Sequence, residues 1–347
     1  MRAMILAAGL GTRLRPLTYV MPKPVVPVLN VPIVARIAEL LAKHGFTDVV
    51  TNLSYLPEQI RAVLGDGSGF GLRITYSEES EPLGTAGGVG KVRDLLSETD
   101  SFLIISGDAL TDIDLSGMRD AHDANVAAGA IATLATKRVE DTTQFGVAIT
   151  DADGRIQGFQ EKPQPAEALS DLANCGIYMF SSEIFDHFPP PDHRTPAGDE
   201  NQPEGFIDWA MDVFPALLDG DVPFYSHEID AYWNDIGSVS EFVQGNVDAL
   251  TGAVGVDPPG AQVREGVYAG AGSEVDAVKV KPPVLIGEGC ELHAGVDLHG
   301  PVVIGDRCRI GPSAMVRDAV VLSGAEVPAG ALIVGGLYGV EADRPLG

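Results

Sequence analysis

The chain has 347 residues, of which 45% are hydrophobic, and a formal net charge of −26. That length predicts two domains and that composition permits a sizeable core. Such acidity excludes nucleic acid and anionic membranes as partners, unless it serves only solubility, and a phosphate-bearing substrate would need local positive potential from a few Arg and Lys residues, helix N-termini or a metal ion.

Residues 4–7 read as a buried strand, because one basic residue before a short apolar run does not make a signal peptide. No run of about 18 apolar residues occurs, so no membrane span is expected and the expected compartment is the cytoplasm. The strand leads into Gly9-Leu10-Gly11-Thr12-Arg13-Leu14-Arg15-Pro16. Leu14 stands where a dinucleotide fingerprint needs its third glycine, and no Gly-Lys-Ser/Thr follows to make a P-loop. What remains is a glycine turn with free backbone N–H groups, a hydroxyl and two guanidiniums. It fits either a phosphate cradle or an ordinary turn with surface arginines. Lys23 follows, stiffened by Pro22, Pro24 and Pro27. Helices are expected over 32–44, 57–64 and 85–96, and strands over 48–53, 72–77 and 101–106, the last running into Gly107-Asp108. This alternation predicts an α/β, Rossmann-like, mostly parallel sheet with helices on both faces.

From residue 130 strands dominate, at 130–136, 145–149, 155–160 and 174–180. Residues 189–203 read as an exposed loop, 206–218 as an amphipathic helix kinked by Pro215, 222–227 as a strand and 238–250 as a helix. Residues 1–250 thus make one domain, 251–262 a linker and 263–347 a second domain. In the second, Ile286, Leu292, Leu298, Ile304, Ile310, Val316 and Leu322 recur every six residues. Cys290, Val296, Val302, Cys308, Ala314 and Val320 follow at a fixed offset. That period marks a left-handed hexapeptide β-helix. Cys290 and Cys308, three hexads apart, should stack on one face as core fillers. Cys175 should be a packed strand residue, and with an odd cysteine count and no CxxC pair no disulfide framework is expected. The histidines show no metal-ligand spacing, and His293 and His299 should be exposed.

Residues 6–18 (LAAGLGTRLRPLT) and 22–33 (PKPVVPVLNVPI) resemble the signature of the sugar-1-phosphate nucleotidylyltransferases. The resemblance continues, in the family's order, through 81–87 (EPLGTAG), Gly107-Asp108, 145–147, 159–163 (FQEKP), 174–178 and 232–237 (YWNDIG). A hexapeptide tail is common in that family. The reaction so implied is attack by a sugar 1-phosphate oxygen on the α-phosphorus of a nucleoside triphosphate, with pyrophosphate leaving, where positioning and charge neutralisation supply most of the catalysis. The resemblance implies that Leu6, Ala8, Gly9, Gly11, Thr12 and Arg13 bind the nucleotide phosphates and that Gly84 and Thr85 contact the base. Arg13, Lys23 and Asp108 would be catalytic, Asp108 and Asp235 would hold Mg²⁺, and Gly146, Glu161, Lys162 and Asn174 would bind the sugar phosphate.

Residues 77–87 and 93–98 look most like the mannose-1-phosphate guanylyltransferase branch, so GTP and mannose 1-phosphate are the expected substrates. That branch commonly reads Asn-Ser-Asp where this chain has Ser106-Gly107-Asp108, which keeps a UTP- or dTTP-dependent glucose-1-phosphate enzyme open. A non-catalytic nucleotide-sugar sensor would be expected to lose the phosphate and metal residues retained here. An acyltransferase β-helix would need a catalytic histidine, for which the hexads offer no convincing candidate. The β-helix is expected to serve homo-oligomer contacts or allosteric docking.

Overall fold

A computed structural model describes the chain except for residues 191, 192, 194, 196–204, 277 and 340–347. The chain divides into two units that do not follow its order. The first comprises Met1–Gly9, Ile37–Ala109 and Ile113–Trp233, and the second Leu10–Arg36, Leu110–Asp112 and Asn234–Gly347.

The chain opens with β1 (Arg2–Leu6), α1 (Ile33–Lys43), β2 (Asp48–Leu53), α2 (Pro57–Leu64), β3 (Arg73–Glu78), α3 (Gly84–Lys91) and β4 (Ser101–Ser106). The four strands are parallel in the order β3-β2-β1-β4. Parallel neighbours need crossovers, and a buried parallel strand can be apolar along its length, as Phe102 to Ile105 are at 0% exposure. The expected helix over 85–96 breaks at Val92, beyond which a single turn, Arg93–Leu96, continues.

Helix α4 (Leu115–Ala127) was not expected from the pattern. Its signal is present but thin: Asp114 caps the amide of Ser116, and Leu115, Met118 and His122 share the buried face. Then come β5 (Ala132–Arg138), β6 (Gly146–Thr150), β7 (Ile156–Glu161) and β8 (Leu172–Ser181). β8 runs antiparallel to β4, β5 and β6, and β7 antiparallel to β6. The loop expected at 189–203 lies mostly outside the described residues. The helix expected over 206–218 begins as a π-helical turn at Trp209–Val213 and becomes α5 (Phe214–Asp219). Pro215 sits in the first turn of α5, directly after the π-helical turn. β9 (Phe224–Glu228), parallel to β5, completes a nine-stranded sheet. Its core is aromatic: Trp209 stacks on Phe180 at 4.6 Å and on Phe214 at 5.8 Å.

The second unit contains α6 (Val239–Thr251), capped by Ser238, whose Oγ accepts from the Glu241 amide. Beyond it the hexads build parallel coils. Glu291 and Leu292 pair with Arg309 and Ile310, and Val284 to Ile286 with Val302 to Ile304. The buried interior holds Ile286, Leu298, Ile304, Ile310 and Val316 together with Cys290 and Cys308. The six-residue phase slips near Asp318. Leu298 pairs with Val316, eighteen residues on, but Ile304 pairs with Val321, only seventeen on. Val321 therefore takes the buried place expected for Leu322, and Ala319 the one expected for Val320 opposite Val302. The shortened coil turns through Asp318 at φ 50°.

Candidate active site

In the first unit, Ala8, Gly9 and Asp108 follow the carboxyl ends of parallel strands, where open α/β sheets place ligands. Where β1 and β2 end their ladder at Leu6 and Asn52, the Asn52 side chain takes over: its Oδ1 accepts from the Ala7 amide at 2.7 Å. Its Nδ2 donates to Glu79 Oε1 at 2.8 Å, and Glu79 Oε2 accepts from the Leu83 amide at 3.0 Å. A buried polar relay thus joins the strand exit that leads to Ala8 and Gly9 with the stretch that carries Gly84 and Thr85. Asn52 is 2% and Glu79 5% exposed. Sequence reasoning missed both. The available signal was a polar residue near the end of an apolar strand and a carboxylate four residues before Leu83.

Gly84 and Thr85 are held from outside their own helix. At Gly84 (φ 82°) a Cβ would lie 2.4 Å from the Ile207 carbonyl oxygen. That oxygen accepts from the Ala86 and Gly87 amides. The Thr85 hydroxyl donates to Asp208 at 2.7 Å and accepts from the Trp209 amide. The glycines of this stretch are therefore accounted for by close approach of protein backbone.

Gly107 accounts for the departure from Asn-Ser-Asp. Its amide donates to the Leu6 carbonyl, and a Cβ there would stand 2.7 Å from that oxygen. Asp108 follows at once, half-buried, on the turn beyond β4. Glu161 ends β7 opposite Gly146, and Lys162 follows in the left-handed region at φ 45°. Their side chains, both exposed, pair at 3.2 Å. Asn174 sits at an irregularity in β8, its Oδ1 accepting from the Gly176 amide and its side chain bonded to the Tyr178 hydroxyl. Burial raises the Tyr178 phenol far above its ordinary value. Burial likewise raises the Cys175 thiol, as suits a packed strand residue.

In the second unit, Gly11 (φ 60°) lies against the Lys23 stem, where a Cβ would be 2.9 Å from Lys23 Cβ and 3.0 Å from Thr18 Cγ2. The turn that presents Thr12 and Arg13 is thereby seated on the buried Lys23. Arg13 reaches Asp235 at 3.8 Å, with 61% of its side chain exposed. Asp235 lies in a strained turn: Ile236 has φ 44°, unusual for a β-branched residue, and its amide donates to Asn234 Oδ1. The strain is held by burial, since Ile236 is 0% exposed and packs against Gly245 of α6, where a Cβ would approach Ile236 Cδ1 to 2.8 Å. At Gly237 a Cβ would meet side-chain atoms of Glu241, Arg13 and Asp235 within 3.2 Å, so the three charged groups converge around this position. Glu241 and Gly245 were also missed from sequence, and the signal that could have flagged Gly245 is its spacing of eight residues after Gly237.

Arg13, Lys23 and Asp235 thus fall in the second unit, and Asp108, Gly84, Thr85, Gly146, Glu161, Lys162 and Asn174 in the first. Among the described residues no cluster of three His, Cys, Asp or Glu side chains is arranged to hold a metal. Magnesium needs only one or two carboxylates plus phosphate oxygens and water. No helix among them is long and apolar enough to cross a membrane.

Residues 2–252 match the nucleotidyl transferase family and residues 283–318 the bacterial transferase hexapeptide repeats. The chain is 38% identical to a UTP–glucose-1-phosphate uridylyltransferase of Synechocystis sp., over 96% of this chain and 86% of that one. It is 34% identical to a mannose-1-phosphate guanylyltransferase of Mycobacterium tuberculosis, over 95% and 82%. The crystal structure of HddC from Yersinia pseudotuberculosis shares the fold, with a TM-score of 0.57 over 71% of this chain and 97% of that one at 23% identity.

Proposed function

This chain belongs to the sugar-1-phosphate nucleotidylyltransferase family, and we propose that its reaction is GTP plus mannose 1-phosphate to GDP-mannose and pyrophosphate, in the cytoplasm and with Mg²⁺. Guanine is supported by the resemblance of residues 77–87 and 93–98 to the mannose-1-phosphate guanylyltransferase branch and by the Mycobacterium tuberculosis relative. UTP with glucose 1-phosphate is the second reading, supported by the Synechocystis relative.

In the proposed mechanism, the amides from Leu6 to Thr12 and the Arg13 guanidinium take the triphosphate, and Lys23 neutralises charge near the α-phosphate. Glu161 accepts from sugar hydroxyls while Lys162 and the Gly146 and Asn174 region hold the sugar phosphate. With the two phosphates aligned, attack needs little further from the protein than charge compensation. Asp108 and Asp235 are the residues that would hold Mg²⁺, and both supply the hard oxygen donors it prefers. The Asp235 carboxylate is compensated by Arg13, an exposed side chain free to exchange that role for contact with phosphate. Bound Mg²⁺ would neutralise charge on the triphosphate.

A grid of GTP, UTP, dTTP and ATP against mannose and glucose 1-phosphates, read by pyrophosphate release in Mg²⁺, tests this. Highest kcat/KM for GTP with mannose 1-phosphate is expected. Preference for UTP with glucose 1-phosphate establishes the second reading, and no release with any pair removes the enzymatic one. Asp108→Ala is expected to lower kcat by at least about a hundredfold, a typical loss for a group that stabilises developing charge. Near-normal turnover would remove Asp108 from the metal site.

A further inference from the structure

We propose that the β-helix positions the Lys23 segment through one side chain, Asn30, so that the hexapeptide coils set the geometry of triphosphate binding. The part concerning triphosphate rests on the function proposed above. The clasp itself rests on geometry within the second unit alone.

Pro27–Val28 and Val31–Pro32 form a hairpin whose two turn residues, Leu29 at φ 50° and Asn30 at φ 61°, are both left-handed. Such turns ordinarily take Asn-Gly. A leucine there is strained and persists only where its surroundings hold it. Here they do. Leu29 is fully buried, and its amide donates to Asn246 Oδ1 at 2.8 Å. Asn246, on α6, is itself 0% exposed and donates to the Phe242 carbonyl. At the tip, Asn30 Nδ2 donates to the carbonyl of Ile304 at 2.9 Å. Ile304 ends the strand Asp297–Ile304, and its carbonyl also accepts from Gly287 of the preceding coil at 2.8 Å, so both lone pairs are used.

The hairpin is connected to the phosphate-loop residues by consecutive tight contacts. Ile33 donates to Val26, Val26 to Lys23, and both Arg36 Nε and Nη2 to Val28. Lys23 Cβ in turn lies where Gly11 leaves no room for a side chain of its own. A shift at Asn30 therefore has few soft torsions in which to dissipate before it reaches Lys23.

The test compares the full-length chain with Asn30→Gly, which keeps the left-handed turn and removes only the amide, and with Asn30→Asp, which keeps the shape but sets an acceptor against the Ile304 carbonyl. Loss of the clasp is expected to raise KM for the preferred triphosphate about tenfold, the equivalent of one hydrogen bond. KM for the sugar 1-phosphate should be unchanged, and kcat should fall less than about threefold. Hydrogen exchange at the Val25 and Val26 amides should accelerate while the β-helix amides hold. If Asn30→Gly does not fold, Asn30→Asp carries the comparison. Lower kcat with both KM values unchanged would show a merely structural bond and overturn the proposal, as would faster exchange with an unchanged triphosphate KM. Unaltered exchange at Val25 and Val26 overturns the clasp even if no substrate pair proves active, so its failure is separable from failure of the functional reading.

Discussion

Single side chains in this protein are held by buried polar contacts that sequence alone makes hard to see. His122 is 0% exposed, between the hydroxyls of Thr133 at 3.1 Å and Ser101 at 3.2 Å. Burial pushes its pKa down to about 4, against the neighbouring Asp123, which pushes it up. The unfolded chain, with an ordinary histidine near 6.5, takes up a proton that the folded chain refuses. The fold should therefore lose stability as pH falls from about 6.5 to about 4, by at most about 1.4 kcal/mol per pH unit from this residue. Denaturant titrations across that window should show a shallower loss in His122→Gln. An identical slope would mean His122 is not the titrating group. Charged and glycine positions were legible from the pattern of residues 6–33 and 232–237, but their partners were not. Asn52 and Glu79 work through a contact spanning 27 residues, and no local spacing announces it.

At the scale of elements, strong period and strong punctuation were readable. β2 and β4 have the ends expected, because apolar runs there are bounded by polar or glycine residues. α4 was missed because Gly117 and a run of polar residues dilute its apolar face, and packing rather than propensity makes it helical. The slip near Asp318 was hidden because Val320, Val321 and Leu322 are interchangeable on paper, whereas only the coil geometry decides which is buried. Element junctions also differ in what their glycines do. Gly45, at φ 79° after α1, has open space around its Cβ position, whereas Gly84 at φ 82° meets backbone at 2.4 Å. Gly45→Ala should cost about 1 kcal/mol, the backbone strain alone. Gly84→Ala should cost about 2–4 kcal/mol, since the segment at Ile207 must move as well. Equal costs by chemical denaturation would show that the approach of Ile207 is easily relaxed.

For the whole molecule, the division of the sequence into 1–250 and 263–347 tracks where the substrate motifs end and the hexads begin. The compact units instead group Leu10–Arg36 with Asn234–Gly347. We propose that the former division describes chemistry and the latter what folds together. The hexads were legible because a repeat imposes its own register. The grouping was not, because it depends on Asn246 and Ile304 meeting residues more than 200 positions away. Homo-oligomer assembly through the β-helix remains a proposal. Leu332 at 67% and Val334 at 59% exposure, on one strand of the coils, are its candidate contacts for a second copy. Leu332→Asp with Val334→Asp should lower the mass seen by sedimentation if that surface joins copies. An unchanged mass would exclude it.

The Asn30–Ile304 bond closes a span of 274 residues. During synthesis, Lys23 leaves the ribosome long before the coil that fixes its hairpin is made. At about 5–20 residues per second the wait is on the order of tens of seconds. A chain released early, or nicked within the coils, would carry the Lys23 hairpin without the partner that fixes it. We propose that the order of manufacture thus acts as a check: triphosphate capture would come late because its frame joins segments far apart in the polypeptide.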